Sequence, residues 1–312
     1  MKTWITIGAA AVLTMAGSLR AAPLDEARLG ADAKWVAHVD FDALRASTTV
    51  RAITGPWLAT DRVRRELAKI RDTVGLDPTE DLHGLTFYGP EPVEGRGVAL
   101  VTAEVDRARL ETFLAEQPDY AAAPYEKHVI HSWTHHRPRR ADVTIHGCLP
   151  DVGLVLFSQD LGDLRAAVDV LDGRRPNLAA GDSPLKGAAR PGTILDLRAA
   201  GLAEAKLPLK SPILRLSELL TVALGEQQST AFVEARLVAR SEQNASDMRD
   251  VVAGAIAFAR LYCDGNDAAL DILDAIRVES EARTVTLTWE GQARQVLKVA
   301  GQQWMRTRGG NR

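Results

Sequence analysis

The chain has 312 residues, 46% of them hydrophobic, and a formal charge of −3. That near-balance of charge argues against a nucleic-acid partner, and the length allows one large domain or two small ones with a proper core. Two cysteines, Cys148 and Cys263, are too few for a disulfide framework. They either pair in an oxidising compartment or remain buried thiols.

Lys2 precedes an uncharged, mostly apolar run, "WITIGAAAVLTMAG" from Trp4 to Gly17, and small residues follow it. This is the order of a secretory signal peptide over residues 1–22, with cleavage after Ser18, Ala21 or Ala22. The run is short for a membrane span and no second one approaches spanning length. The expectation is an exported chain, periplasmic or extracellular, whose mature part has no transmembrane segment.

Next, "KWVAHVDFDALRAS" (34–47) reads as a short strand entering a helix near Asp40 or Asp42, and "GTILDLRAAGLAEA" (192–205) repeats the pattern with Asp196 at the equivalent place. "LHGLTFYG" (82–89) and "ELLTVALG" (218–225) are strands that end on glycine, and "VALVTAEV" (98–105) aligns with "AFVEARLV" (231–238). In that alignment Val101, Ala103 and Val105 match Val233, Ala235 and Leu237 on the buried face. A helix follows in each copy. The first is capped by Asp106 and carries Leu110, Phe113 and Leu114; the second carries Val251, Ala255, Phe258 and Tyr262 along one face and stops near Gly265. Both copies then close with a hairpin and a helix, which pairs Phe157 with Trp289.

The fold class that follows is α+β: two similar units, each an antiparallel sheet with helices packed on one face. The first unit covers 23–180 and the second 192–305, with a Gly/Ala/Pro-rich linker at 181–191 and a disordered tail at 306–312. "ADAKWVAHVDFDALRAS", "GLDPTEDLHGLTFYG" and "DGRRPNLA" resemble segments of a family of uncharacterised exported bacterial proteins. The resemblance implies the opening strand–helix and the duplicated layout, and it carries no functional residue.

Chemistry is densest in "HVIHSWTHHRPRR" (128–140). If this strand pairs with "DVTIHGC" so that Thr134 faces Val143, His131 faces His146, with Cβ atoms within about 5.5 Å. Two such imidazoles, with His128, His135 or Asp142 as a further ligand, would suit Zn²⁺ or Cu²⁺. A register shift of two places Cys148 opposite His131 instead. The competing reading is a polar strand face with a solvated, basic tip, where Pro138 cannot serve an inner strand. All seven histidines lie in the first copy, so the fold itself does not require them.

His38 and Asp40 share a strand face and suggest an acid–base pair. The repeat keeps only the acid, as Asp196, which fits a helix cap, and it has Ile194 in place of His38. No nucleophile elbow, P-loop, zinc-protease or dinucleotide motif occurs, and "DGND" (264–267) is a helix stop rather than a calcium loop. Three readings follow. The first is an exported non-enzymatic scaffold that binds a protein or small-molecule ligand. The second is a metal-binding protein or metallohydrolase centred on the histidine hairpin. The third is a hydrolase built on His38 and Asp40.

Overall fold

The computed structural model describes residues 23–137, 140–202, 211–263 and 265–296. The expected signal segment, Pro138 and Arg139 of the hairpin tip, and the C-terminal tail lie outside the described residues.

The first unit opens with β1 (Trp35–Asp40), α1 (Phe41–Ala46), α2 (Thr48–Leu58) and α3 (Asp61–Val74). It continues with β2 (Leu82–Gly89), β3 (Val98–Ala103) and α4 (Arg107–Ala115), then β4 (Ala121–Tyr125) and β5 (His128–His135). It closes with β6 (Val143–Asp151), β7 (Leu154–Ser158) and α5 (Leu161–Leu171). The second unit contains β8 (Thr193–Ala200), α6 (Pro212–Arg215), β9 (Ser217–Gln227) and β10 (Thr230–Ala239). It ends with α7 (Glu242–Tyr262), α8 (Asp267–Asp274), β11 (Arg277–Glu281) and β12 (Thr284–Gln292).

All twelve strands join one antiparallel sheet in the order β11-β12-β10-β9-β8-β1-β2-β3-β7-β6-β5-β4. The α+β class holds, and the strands repeat in the expected order on either side of a central pair. That pair is β1 and β8, antiparallel, with Val39 opposite Leu195 and His38 opposite Asp196. When Asp40 is aligned with Asp196, Val39 aligns with Leu195, the residue it faces. The repeats are therefore related by a pseudo-two-fold axis normal to the sheet, passing between these two residues. The pair β4–β5 is the first unit's own addition, at one end of the sheet.

Not every aligned residue keeps its partner. Ala99 faces Phe157 in the first unit, while Val233 faces Trp289 in the second. One of these two alignments thus slips by two residues, which leaves every side chain on its expected face.

Alternation divides the sheet into two faces. On one, Val36, Tyr88, Leu100, Leu156 and Cys148 form the main core of the first unit together with α5. On the other, Val101, Val155, Trp133 and Phe157 pack with Leu110 and Leu114 of α4. The same second face continues into the second unit, where Ala245 and Met248 of α7 cover Leu237, Val285 and Val278. Helices thus cover the second face in both units, and α5 adds a layer on the first.

The α7 stripe expected to be buried is not. Val251 is 56% exposed, Phe258 59% and Tyr262 78%. The N-terminal turns of α7, capped by the Ser241 side chain, pack on the sheet through the small and flexible residues Ala245 and Met248. Asp196 is also placed differently from its repeat mate. The Asp40 side chain caps α1 by accepting from the Ala43 amide at 2.9 Å, whereas β8 runs on past Asp196 to Ala200.

Both glycines expected to end strands are required by crowding, although β9 runs on past Gly225 to Gln227. A Cβ on Gly89 would lie 2.8 Å from the Gly97 Cα, and one on Gly225 would lie 2.2 Å from the Gly192 carbonyl oxygen. The Gly/Ala/Pro-rich segment between the units is pinned rather than slack. Leu185 is fully buried, the Gly187 amide donates to Glu26, and Arg190 bridges Glu234 and Glu290.

A second tie joins the units at the start of α2. Glu226, just past the end of the Gly225 contact, accepts from the Ser47 hydroxyl at 2.7 Å and from the Thr48 and Thr49 amides at 2.9 Å each. Burial alone would raise the Glu226 pKa, but these donors at a helix N-terminus bring it down to about 2. A carboxylate depressed in the fold stabilises above its ordinary pKa and loses that effect as pH falls through the folded value. Glu226→Gln should therefore cost roughly 1 kcal/mol at neutral pH. In urea titrations the difference from the parent chain should shrink steadily from pH 4.5 to about 2.

Candidate functional site

The four candidate metal ligands divide between the two sheet faces. The β5–β6 register sets Thr134 opposite Thr144 and His131 opposite Gly147, one residue away from the expected pairing. That register buries Ile130 against Cys148 in the core, and a slip of one residue would reverse every side chain of β5. As a result His131 and His146 do not face each other. His146 sits opposite Ser132, its Nδ1 2.7 Å from the Ser132 hydroxyl. His131 lies on the other face with its Nδ1 2.9 Å from the Tyr120 hydroxyl. Burial lowers the pKa of both imidazoles, so both are neutral at pH 7.

His128 turns toward the end of α5, its Nε2 3.1 Å from Asp172, which also pairs with Lys127 and Arg174. Burial works against the charge on Asp172, yet these three partners hold its pKa at about 2. This histidine anchors the extra hairpin to the helix. His135 is exposed, and His136 pairs with Asp142 at the hairpin tip. Among the described residues no group of three or more His, Cys, Asp or Glu side chains is placed to hold a metal ion. Both cysteines are free; Cys148 is buried, and burial raises its thiol pKa to about 11.

His38 and Asp40 lie in the central strand, 6% and 8% exposed. The Nδ1 of His38 is 2.8 Å from the Thr86 hydroxyl, and burial lowers its pKa. Across the strand pair from His38 lies a cluster that the sequence reading missed. Arg198 donates from Nε and Nη2 to Asp196, and from Nη1 to Glu26 and to the Leu185 carbonyl, each at 2.7 Å. Both Arg198 and Asp196 are almost fully buried. The available signal was the pair Asp196 and Arg198 two residues apart, hence on one face, in an otherwise apolar strand. This cluster joins β8, the linker and the N-terminal segment; it neutralises buried charge and has no reactive group aimed outward.

On the second sheet face, where β1, β8, β9 and β10 meet, two adjacent cross-strand rows carry no charge: Val39, Leu195, Leu224 and Val233, and Ala37, Leu197, Val222 and Ala235. Each of these residues is only half-buried. The opposite face of the same strands carries Asp196, Thr221, Glu234 and Arg236. Elsewhere the helices turn large apolar residues outward: Trp57 of α2 at 61% exposure, and Phe258 and Tyr262 of α7, whose rings meet edge-on. Isolated exposed apolar side chains are ordinary, but a continuous uncharged stretch of sheet marks a candidate contact surface.

No protein-family model and no curated protein matches the chain. Among solved structures it is similar to two crystal forms of the treponemal exported protein TP0453. Form III is 9% identical with a TM-score of 0.44, covering 90% of this chain and 99% of that one. Form I is 8% identical with the same TM-score, covering 90% and 98%.

The buried ion cluster gives a direct test of what holds the central pair. Arg198→Met should destabilise the chain by about 3–5 kcal/mol, because it leaves a buried carboxylate without its cation. Adding Asp196→Leu should restore most of that loss, since a well-packed apolar pair removes the stranded charge. Urea unfolding of the two variants at pH 7 measures both effects.

Proposed function

We propose that the protein is an exported, non-enzymatic binding scaffold, and that it holds an elongated apolar ligand, of the chemistry of an acyl chain, against the apolar row of the central strands. The leader-like first 22 residues support export. The observation that carries the binding reading is the pair of half-buried, uncharged rows, Val39–Leu195–Leu224–Val233 and Ala37–Leu197–Val222–Ala235. A sheet face of this composition loses free energy by remaining wet, at about 25 cal/mol per Å² of apolar area. The α7 stripe that would ordinarily cover such a face stays outward. An apolar chain laid across the strands would meet aliphatic side chains beneath it.

The non-enzymatic part rests on the disposition of the titratable groups. Among the described residues His38, His131 and His146 pair with hydroxyls and His83, His128 and His136 with carboxylates, on separate elements, and none of these pairs is a nucleophile–base–acid constellation.

Titrating the mature chain with a fluorescent fatty acid tests the reading. Saturable binding is expected, weakened at least about tenfold by Val222→Glu, which costs more than 1.4 kcal/mol of apolar contact. Thr286→Glu, on the opposite face of the same sheet, should leave it unchanged. Absence of saturable binding, or equal loss in both variants, would contradict the proposal.

A further inference from the structure

A second site, independent of the apolar rows, lies on the other face of the same strands. There the inter-unit segment 184–190 and the first face of β8, β9, β10 and β12 border a cleft of about 370 Å³, within the range of small-molecule pockets. In the first unit this face is apolar core. In the second it is lined by charged and hydroxyl side chains, which the fold itself does not require.

Most of the charge in the cleft is already paired. Arg198 bonds Asp196 at 2.6 Å, and Arg190 bonds Glu234 at 3.0 Å while lying over the Phe232 ring. These are the two acids of the lining; Glu26 and Glu290, which share the same arginines, lie outside it. Two cations of the lining are left without an acid among the described residues. Lys186 donates to the Gly181 carbonyl at 3.0 Å. Arg236 is exposed and has no hydrogen-bond or ion-pair partner there at all.

The surroundings of Arg236 define the ligand. It stands in β10 directly opposite Thr221 of β9 on one side and Thr286 of β12 on the other, and Cβ atoms of opposed residues lie within about 5.5 Å. Both threonines line the cleft, and among the described residues neither hydroxyl makes a hydrogen bond. A guanidinium fork flanked by hydroxyl donors suits an oxyanion, which arginine grips through two parallel N–H groups. A carboxylate presents both its oxygens to such a fork. A tetrahedral phosphate presents two and keeps others for the hydroxyls on either side, and its two negative charges match the two unpaired cations.

We infer that this cleft binds a phosphate group, held by the Arg236 guanidinium between the Thr221 and Thr286 hydroxyls, with Lys186 supplying the second positive charge.

Calorimetric titration of the full mature chain at pH 8, where a phosphate ester is doubly charged, tests this with inorganic phosphate and with glycerol 3-phosphate. Sodium acetate and sodium chloride at matched ionic strength are the controls. One-site binding of phosphate at millimolar concentration or below is expected, with acetate weaker by about tenfold or more. Tighter binding of glycerol 3-phosphate would make a phosphate ester the ligand, and equal binding would make it the free ion. Arg236→Gln should weaken binding by about tenfold or more, the loss of a charge-assisted bond, and Thr286→Val by roughly threefold. The ligand-free melting temperature of Arg236→Gln should match that of the parent chain, because no bond within the protein is removed. Thr286→Glu separates this site from the proposed acyl site. It should abolish phosphate binding by giving Arg236 an internal carboxylate, and leave fatty-acid binding as it was. No heat from either phosphate, an equal response to acetate, or undiminished binding by Arg236→Gln would each overturn the assignment. So would a drop of several degrees in that variant's ligand-free melting temperature, which would give Arg236 a structural role.

Discussion

The pairing of β1 with β8 is the constraint on which the rest of this structure depends. Either unit alone would present its first strand as an open edge, with unpaired amides and carbonyls exposed to any other chain. Joined back to back, the two edges disappear and twelve strands become one sheet. The junction is not a simple aliphatic seam. It buries His38, Asp196 and Arg198, and burying these groups is costly unless each is satisfied. Arg198 meets this demand by bonding Asp196, Glu26 and the Leu185 carbonyl together. The N-terminal segment and the inter-unit segment are thereby fixed to the same strand. Glu226 adds a second tie by capping α2 from the other unit.

The strands repeat in order on either side of the β1–β8 junction, and departures from that repeat account for much of what is distinctive. The first unit gains β4 and β5, held to α5 by Asp172 with His128, Lys127 and Arg174, and by Tyr125, whose hydroxyl donates to Asp169. The second unit leaves its first sheet face polar and its long helix only partly docked. One face of the sheet is mostly apolar, interrupted by His131 and Glu226, and the other changes from packed core to a charged, threonine-rich surface at the junction.

Much of this could be read in the sequence. Alternation located β2, β3, β9 and β10 within a few residues, and the order of elements gave the duplication, because both are carried by local pattern. Where the reading failed, non-local contacts decided. The hairpin register was off by one residue, and with a side-chain period of two this sufficed to send His131 and His146 to opposite faces. The helix α7 carries two apolar stripes, and periodicity alone does not say which one meets the sheet; the smaller stripe, with Ala245 and Met248, does. Asp196 resembled a cap because its repeat mate Asp40 is one, but Arg198 two residues on supplies the partner that lets the strand continue. The helices α2 and α3 were not read at all, although Ser47 and Thr60 stand at their starts as ordinary helix-opening residues.

Amide hydrogen exchange, followed peptide by peptide in low denaturant, tests the central claim most directly. If β1 and β8 form the middle of a single sheet, their amides should be among the slowest to exchange and should be released in one cooperative step, since the deepest-paired strands open only with the global transition. Fast, edge-like exchange in β1 and β8, with the two units opening in separate steps, would contradict the account.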